Sequence, residues 1–434
     1  MTLRRRSLGL ICAFSLSSLS LANSARAEKT LAKQDDWEVY TDGRVGAFLG
    51  YLQGQGYPQP AFDANGNQLH DIAGGGLDAA ADRTQTGNNG QQTQGTINRW
   101  RVRTGFIGSI VALGVRTRID DTNTITGYTQ FWSYVESQQQ RKGSPNPPDV
   151  RQAYVKLEGN WGSFLAGRSR TLFSRGATDI DLMYAHRYGV GFPGSAVDSN
   201  GPTSGQIGFG VLGSGFASGL VYATPTTFGL QLSVGAFDPV ALQGAWERTN
   251  LPRGEGELTF EMAFGTAGKV VLFGNGGYQK LYRRDGNEST AAAGFGYGGR
   301  LEVGPFHLGL AGHYGKGLGL NYALEPSDAT LDTFGELRKF DGYYGQAQVV
   351  AGPVDFFGGA GITRVFLGPN DGPDQNGVVV HSVVKSQLGI NGGIVYHWRS
   401  FLHLDFDYFR AQFAWFLGEK QAVNAYNAGM TYTW

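Results

Sequence analysis

From about Val39 to the C-terminus, hydrophobic and polar residues alternate in runs of roughly ten, each closed by a tight turn or a long polar stretch. Successive side chains of a strand point to opposite faces, so every run presents one apolar face and one polar face. Sixteen strands are predicted, the first at 38–52, the second at 99–120 and the last at 421–434. The second is long enough to hold a bulge. Residues 206–213 read equally as a strand or as part of the preceding loop, so eighteen strands is the alternative count. Short turns at 121–123, 159–162, 224–226, 304–305, 352–353 and 399–400 take turns with long connections at 53–98, 138–149, 171–205, 239–256, 321–339 and 368–380. An antiparallel sheet closed into a barrel, with turns at one rim and loops at the other, produces this asymmetry, whereas a sandwich does not. The fold class read from the pattern is therefore all-β, a transmembrane antiparallel barrel. Sixteen or eighteen strands would leave an open, water-filled lumen.

The last strand is the most strongly patterned. Tyr426, Ala428, Met430, Tyr432 and Trp434 share one face, and Asn427, Gly429, Thr431 and Thr433 share the other, so one side suits lipid and the other water.

The N-terminus has its own design. Arg4, Arg5 and Arg6 precede an apolar run from Leu8 to about Leu21, and Ala25-Arg26-Ala27 offers a small-x-small cleavage site. Residues 1–27 read as a secretory signal peptide and 28–434 as the barrel domain. The apolar run is short for a membrane helix and serines interrupt it. The chain's single cysteine, Cys12, lies inside this leader, so the mature chain has no disulfide or thiol chemistry. Cleavage would leave 32 basic against 36 acidic residues, a balance of −4 that gives no reason to expect nucleic acid. No later apolar stretch approaches the length of a membrane helix, so spanning falls to strands. The 68 glycines and 13% aromatic content fit tightly curved sheet with interfacial rings. Trp132, Trp161, Trp398, Trp415, Tyr432 and Trp434 fall near predicted strand ends, where such rings form girdles or turn into the lumen.

Residues 116–132, RTRIDDTNTITGYTQFW, and 151–168, RQAYVKLEGNWGSFLAGR, resemble the general diffusion porins of Gram-negative outer membranes. The resemblance lies in motif order: a Gly127-Tyr128-Thr129-Gln130-Phe131-Trp132 strand, an Ala153 to Leu157 strand, a turn from Asn160 to Phe164, and Gly167-Arg168 leading into the third loop. That loop is similar to the family's pore-constricting loop in length, position and mixture of acids and aromatics. It departs at the tip, where Gly191-Phe192-Pro193-Gly194 stands for the family's Pro-Glu-Phe-Gly-Gly. The resemblance implies residence in the cell outer membrane, a homotrimer, contact with lipid and lipopolysaccharide, and passage of small hydrophilic solutes and ions. It also implies that the Tyr426, Met430, Tyr432 and Trp434 face is recognised by the barrel assembly machinery, with Trp in place of the more usual terminal Phe.

A pore selects by width and by charge at its narrowest point. The candidates for that point are Asp179 and Asp181 on the third loop, with Arg168 and Arg170 leaving the preceding strand on one face and turned inward. Arg101 and Arg103, with Arg99, share a face on the second strand. Acids on the loop facing arginines on the wall would set up a transverse field. Arg99, Arg101 and Arg103 read equally as outer-rim residues that meet lipopolysaccharide phosphates. Three function classes follow: a passive diffusion channel; a substrate-specific channel for sugar, phosphate or carboxylate, needing an aromatic slide or a basic ladder; and, third, a barrel enzyme, for which no Ser/His/Asp arrangement is legible.

Other signals are discounted. Gly208 to Gly213, G-F-G-V-L-G, formally fits a dinucleotide loop but lacks a βαβ setting and reads as a flexible strand edge. His397 and His403 have no third ligand at metal-site spacing, and Asp405 with Asp407 reads as a water-facing strand. No cofactor or metal is expected. Asn287-Glu288-Ser289 fits a glycosylation pattern only for a eukaryotic secretory route.

Overall fold

The computed structural model describes residues 28–60, 65, 69–77, 94–105, 108–133, 135, 149–182, 206–240, 246, 249–265, 268–283, 288–324, 329–332, 335–371 and 381–434. The leader with Cys12, the loop tip at 191–194 and Asn287 lie outside these residues.

Sixteen antiparallel strands close into one barrel, and helix is almost absent among the described residues. The wall begins with β2 (Trp37–Gln55), preceded by a short β1 (Lys29–Gln34) that doubles back on it. The second wall strand is broken. Both β4 (Thr96–Arg103) and β5 (Ser109–Arg118) pair with β2, the first along Phe48–Gln55 and the second along Trp37–Arg44. The single strand expected at 99–120 is thus interrupted at 104–108, and the break shifts the inward positions from odd to even numbers. A minor β3 (Asp71–Ala73), from the first long loop, runs parallel to β17.

The wall continues through β6 (Thr124–Ser133), β7 (Asp149–Gly159), β8 (Gly162–Arg170), β9 (Phe216–Ala223), β10 (Leu230–Phe237), β11 (Arg253–Ala263), β12 (Gly268–Tyr282) and β13 (Ser289–Val303). It is completed by β14 (Phe306–Lys316), β15 (Lys339–Ala351), β16 (Val354–Val365), β17 (His381–Arg399), β18 (Leu402–Trp415) and β19 (Lys420–Thr433). Closure joins β19 to β2, Val423 opposite Gly54 through Thr433 opposite Arg44, and Trp434 and Gly43 exchange both backbone bonds. Closure removes the unpaired edges that an open sheet would present.

The period-two reading holds along the terminal strand. Tyr426, Met430 and Tyr432 are exposed on the outside, while Asn427 and Thr431 are buried within. Leu49, Val111, Leu232, Leu272, Phe295, Leu308, Phe356 and Phe406 extend the same apolar outer band around the barrel. Trp398 joins that band, but Trp132 and Trp415 turn inward and are buried.

The lumen differs from the expected open, water-filled tube. Toward the long-loop rim, apolar side chains of the connections fold inward: Leu77, Phe173, Phe209, Leu212, Trp246, Leu318, Leu320, Leu324 and Leu337. They meet inward-facing Leu52, Ile97, Leu281, Phe340, Val365, Val384, Phe409, Phe413, Trp415 and Val423 in one continuous apolar core. Each such side chain contributes about 1.5–3 kcal/mol on burial, which makes this core a second source of stability inside the wall.

Residues 206–213 pack inside the barrel and are not a flexible strand edge; Phe209 and Leu212 join this core, and Ile207 and Val211 a smaller cluster beside it. Ile207, Phe209, Val211 and Leu212 are all buried, only isolated bridges form there, and the Gln387 side chain donates to the Gly208 carbonyl at 2.8 Å. Gly210 sits at φ 101°, and a Cβ there would meet the Tyr343 carbonyl oxygen at 2.4 Å. Gly210 thus serves close approach of this segment to the wall.

Candidate pore constriction

The third loop leaves β8 and crosses into the lumen because the inner face of β11 holds it there. Arg253, Glu255 and Glu257 lie two apart and all point inward and are buried. Glu255 Oε2 accepts the Leu172 and Phe173 backbone N–H groups at 2.7 and 2.8 Å while pairing with Arg253 at 2.8 Å. Glu257 accepts from the Gly176 N–H and from Arg175 Nε, both at 2.8 Å, with Asn275 adding a bond at 3.2 Å. Ser174, at φ 66°, turns the chain into a one-and-a-half-turn helix, α1 (Arg175–Ile180). Ala177 and Ile180 pack on Val271, Phe273, Ala311 and Tyr344, and the Tyr344 hydroxyl donates to the Ala177 carbonyl at 3.1 Å.

The loop acids are therefore interior groups. Asp179 is 4% exposed and pairs with Arg170 Nη1 at 2.7 Å, while Arg170 Nη2 donates to Thr178 at 2.6 Å and its Nε to Ser214 at 3.2 Å. Asp181 is 1% exposed and accepts the Gln206 N–H at 3.1 Å, and Leu182 N–H reaches Gln346 at 2.8 Å. The structure brings Arg170 and Asp179 together in one ion pair, and both acids fix the loop, so neither presents an open carboxylate to the lumen.

Arg168 departs from the inward placement predicted for it. Its register partners are Ala153 and Ser218, in the same face as Val155, Phe164, Leu220 and Tyr222, which are exposed on the outside. Paired residues share a face, so Arg168 begins its side chain outward. Arg170, the last residue of β8, reaches α1 through its long side chain.

Arg99, Arg101 and Arg103 line the inner face of β4, with Trp100 and Val102 exposed outward between them. Arg44 faces inward on β2 close below them, where Phe48 is opposite Arg103. Farther toward the short-turn rim the same wall carries Asp42, bonded to the Tyr128 hydroxyl at 3.0 Å, and Tyr154 stacked on Tyr128 at 5.2 Å. Arg116 follows, pairing with Glu38 at 2.9 Å and lying 4.7 Å over the Tyr40 ring. In the closed order of sixteen strands, β2 and β4 stand eight places from β12 and β13, against which α1 lies. The arginine wall and the pinned loop are diametrically opposed.

A second polar girdle rings the short-turn end of the lumen. His397 bonds His403, Nδ1 to Nδ1, at 2.8 Å and Asp355 through Nε2 at 2.8 Å. Gln348 links Asp355 to His307 at 3.0 and 2.9 Å. Asp405 and Asp407, also inward, accept from Thr431 and Asn427 at 3.2 and 2.8 Å. No group of three metal-ligating side chains is assembled among the described residues. The sequence reading missed Glu255, Glu257, Arg175, Tyr344 and Gln346. The signal for the first two was present in the run Arg253-Gly-Glu255-Gly-Glu257, three charges on one strand face, which a lipid- or water-facing strand has no need to bury.

No family model matches the chain, and no curated protein matches it in sequence. Solved structures do. The outer membrane channel DcaP of Acinetobacter baumannii is similar with a TM-score of 0.63 at 13% identity, over 93% of this chain and 99% of that one. An anion-selective porin from Comamonas acidovorans gives 0.58 at 14% identity, over 92% and 100%. Salmonella typhi OmpF, in complex with daunomycin, gives 0.53 at 12%, over 93% and 99%. At such identities the likeness is one of architecture, and the chain has the fold of the outer-membrane porins.

Proposed function

We propose that this protein is an outer-membrane channel that passes small hydrophilic solutes and ions by diffusion after signal-peptide-directed export. The observation that carries the reading is the opposition, across one closed barrel, of a pinned inward loop and a wall of arginines. Arg44, Arg99, Arg101 and Arg103 supply positive potential to the passage, and the loop narrows it. The pairing of Arg170 with Asp179 holds the loop, so the field comes chiefly from the wall. Reversal potentials in planar bilayers test this: Arg101→Gln with Arg103→Gln should move selectivity toward cations, and Asp179→Asn, by unpairing Arg170, toward anions. Unchanged selectivity in both variants would remove these residues from the constriction.

A second reading, a channel specific for an anionic solute, is favoured by two observations. The arginines form a ladder along β4 and β2 that runs into the Tyr40, Tyr128 and Tyr154 cluster, and an apolar core fills part of the long-loop half of the lumen. Conductance that saturates with one carboxylate or phosphate, and not with chloride, would select it. No catalytic role is assigned to any residue.

A homotrimer is part of the proposal. An outward arginine costs up to about 2–4 kcal/mol in lipid, and the residues paired directly with Arg168 on the outer face, Ala153 and Ser218, are small. A neighbouring subunit over this sector would cover Arg168. The Tyr426 to Trp434 face is proposed as the strand read by the barrel assembly machinery.

A further inference from the structure

The short-turn mouth of the lumen holds a histidine pair that the passage of solutes leaves without a task. His397, near the end of β17, and His403, near the start of β18, are direct cross-strand partners, a position that holds Cβ atoms about 4.5–5.5 Å apart on one face. That face is the inner one, since Val395, Asp405 and Asp407 on the same alternation are buried. The register of β17 slips between His397 and Arg399, so an extra residue bulges beside the pair. Bulges re-aim neighbouring side chains, and here the two rings meet at 83° with Nδ1 2.8 Å from Nδ1.

The surroundings fix which nitrogen carries a proton. The Asp355 carboxylate accepts from His397 Nε2–H at 2.8 Å, and Gln348 donates to the same carboxylate at 3.0 Å while accepting from His307 at 2.9 Å. In the neutral His397 ring the lone pair therefore sits on Nδ1, where it takes the His403 Nδ1–H. A carboxylate behind the far nitrogen is also what orients a metal-ligating imidazole and raises its basicity. Two bonds of about 2.0 Å at a right angle put their nitrogens about 2.8 Å apart, whereas a tetrahedral angle puts them about 3.3 Å apart. The observed separation matches the right angle. It suits square-planar or tetragonal cations, of which Cu²⁺ binds nitrogen donors most tightly; Mg²⁺ and Ca²⁺ take oxygen ligands and are not served. The His397 side chain is 25% exposed, so an ion arriving through water can reach it.

We propose that His397 and His403 chelate a divalent transition-metal cation, Cu²⁺ above all, through their Nδ1 atoms, with Asp355 as the positioning residue and water in the remaining coordination places. The ion replaces the shared proton, which returns to Nε2 of the His403 ring by exchange with water, and nothing is oxidised or reduced. Structural metal centres have four protein ligands. Two make a site that takes up and releases its ion readily, a station at the mouth of the lumen. The proposal goes beyond the diffusion reading and does not depend on which solute the barrel passes.

The test is Cu²⁺ binding by the whole barrel extracted in detergent, followed by electron paramagnetic resonance. Bound Cu²⁺ should show hyperfine splitting from two nitrogens, and affinity should fall as pH is lowered, because protons compete for the same lone pairs. His397→Gln and His403→Gln should each lower affinity about tenfold or more, and Asp355→Asn, which keeps the shape and removes the charge, about tenfold. His70→Gln serves as control and should change nothing, since His70 pairs with Glu419 at the opposite rim. Heat-modifiable migration reports whether each variant has folded, and the nitrogen count on the unaltered protein stands on its own should one fail. Oxygen-only coordination in the unaltered protein, unchanged affinity in a folded His403→Gln variant, or the absence of saturable binding would each overturn the site and leave the pair a shared-proton contact. Binding is read without current, so the two claims fail separately: a non-conducting barrel that holds Cu²⁺ through two nitrogens supports the site and defeats the channel reading alone.

Discussion

At Asp120, one carboxylate oxygen organises a whole turn. Oδ1 accepts from the Thr122 N–H at 2.8 Å, the Thr122 hydroxyl at 2.9 Å, the Asn123 N–H at 2.9 Å and Asn123 Nδ2 at 3.0 Å. These bonds, the Asn123 side chain's first, hold the carboxyl down to about 2. A group depressed on folding stabilises the turn above its unfolded value, roughly 3.9, and ceases to do so as pH falls through about 2. Protection of the Thr122 and Asn123 amides relative to their intrinsic exchange rates should therefore be high at neutral pH, be lost as pH falls across that window, and be low throughout in Asp120→Ala. Exchange indifferent to both changes would show that the turn is held by its backbone. At the seam, Gly43 is required for a different reason: a Cβ there would lie 2.3 Å from the Trp434 ring and 2.5 Å from the Ile110 carbonyl oxygen. Gly43→Ala should destabilise closure by about 1–3 kcal/mol through overpacking, seen as a lowered heat-modifiability midpoint. Deleting Trp434 should impair insertion without impairing export. Normal barrel yield from that deletion would dismiss the terminal ring as an assembly signal.

Among the elements, the third loop depends on β11 more than on its own sequence. Six described residues of helix cannot stand alone, since isolated helices shorter than about 12 residues are marginal in water. The position of α1 is set by Glu255 and Glu257, which take three backbone N–H groups and two arginines between them. Glu255→Ala would strand the buried Arg253 and should cost about 3–5 kcal/mol, read as a fall in thermal midpoint. Glu257→Gln keeps the shape and removes the charge, so its effect should appear in function: single-channel records should become noisier as Arg175 and α1 gain freedom. A quiet, unaltered current would place the loop's anchorage elsewhere. Arg168 shows why this strand misled a reading by period alone. Its neighbours Ala166, Gly167 and Ser169 are small and suit either lipid or water, so the alternation is legible while its phase is not; only the pairing with Ala153 and Ser218 assigns it.

For the whole molecule, the apolar core inside the long-loop half bears directly on conduction. Trp246 and Phe209 reach it from two different connections, and removing either ring should cost about 3–5 kcal/mol and open space in the lumen. Phe209→Ala should raise conductance along with lowering the thermal midpoint; a lower midpoint at constant conductance would mean that the filled half does not limit flow. The strands, their faces and the sixteen-fold count were legible because alternation and turn chemistry are local, repeated every ten residues, and imposed by an outside that is apolar all round. The sequence by itself determined a barrel, the outward face of Tyr426 to Trp434 and the shared face of Arg99, Arg101 and Arg103. Only the tertiary structure decided that Leu77 would fold down to bond Gln421, that residues 206–213 would line a core, that Asp179 and Asp181 would be buried, and that Arg168 would face outward. Those outcomes turn on contacts between residues far apart in the chain, and on the fact that a loop's apolar side chains are satisfied equally by another loop, a wall or a partner until the barrel closes and leaves one interior to fill.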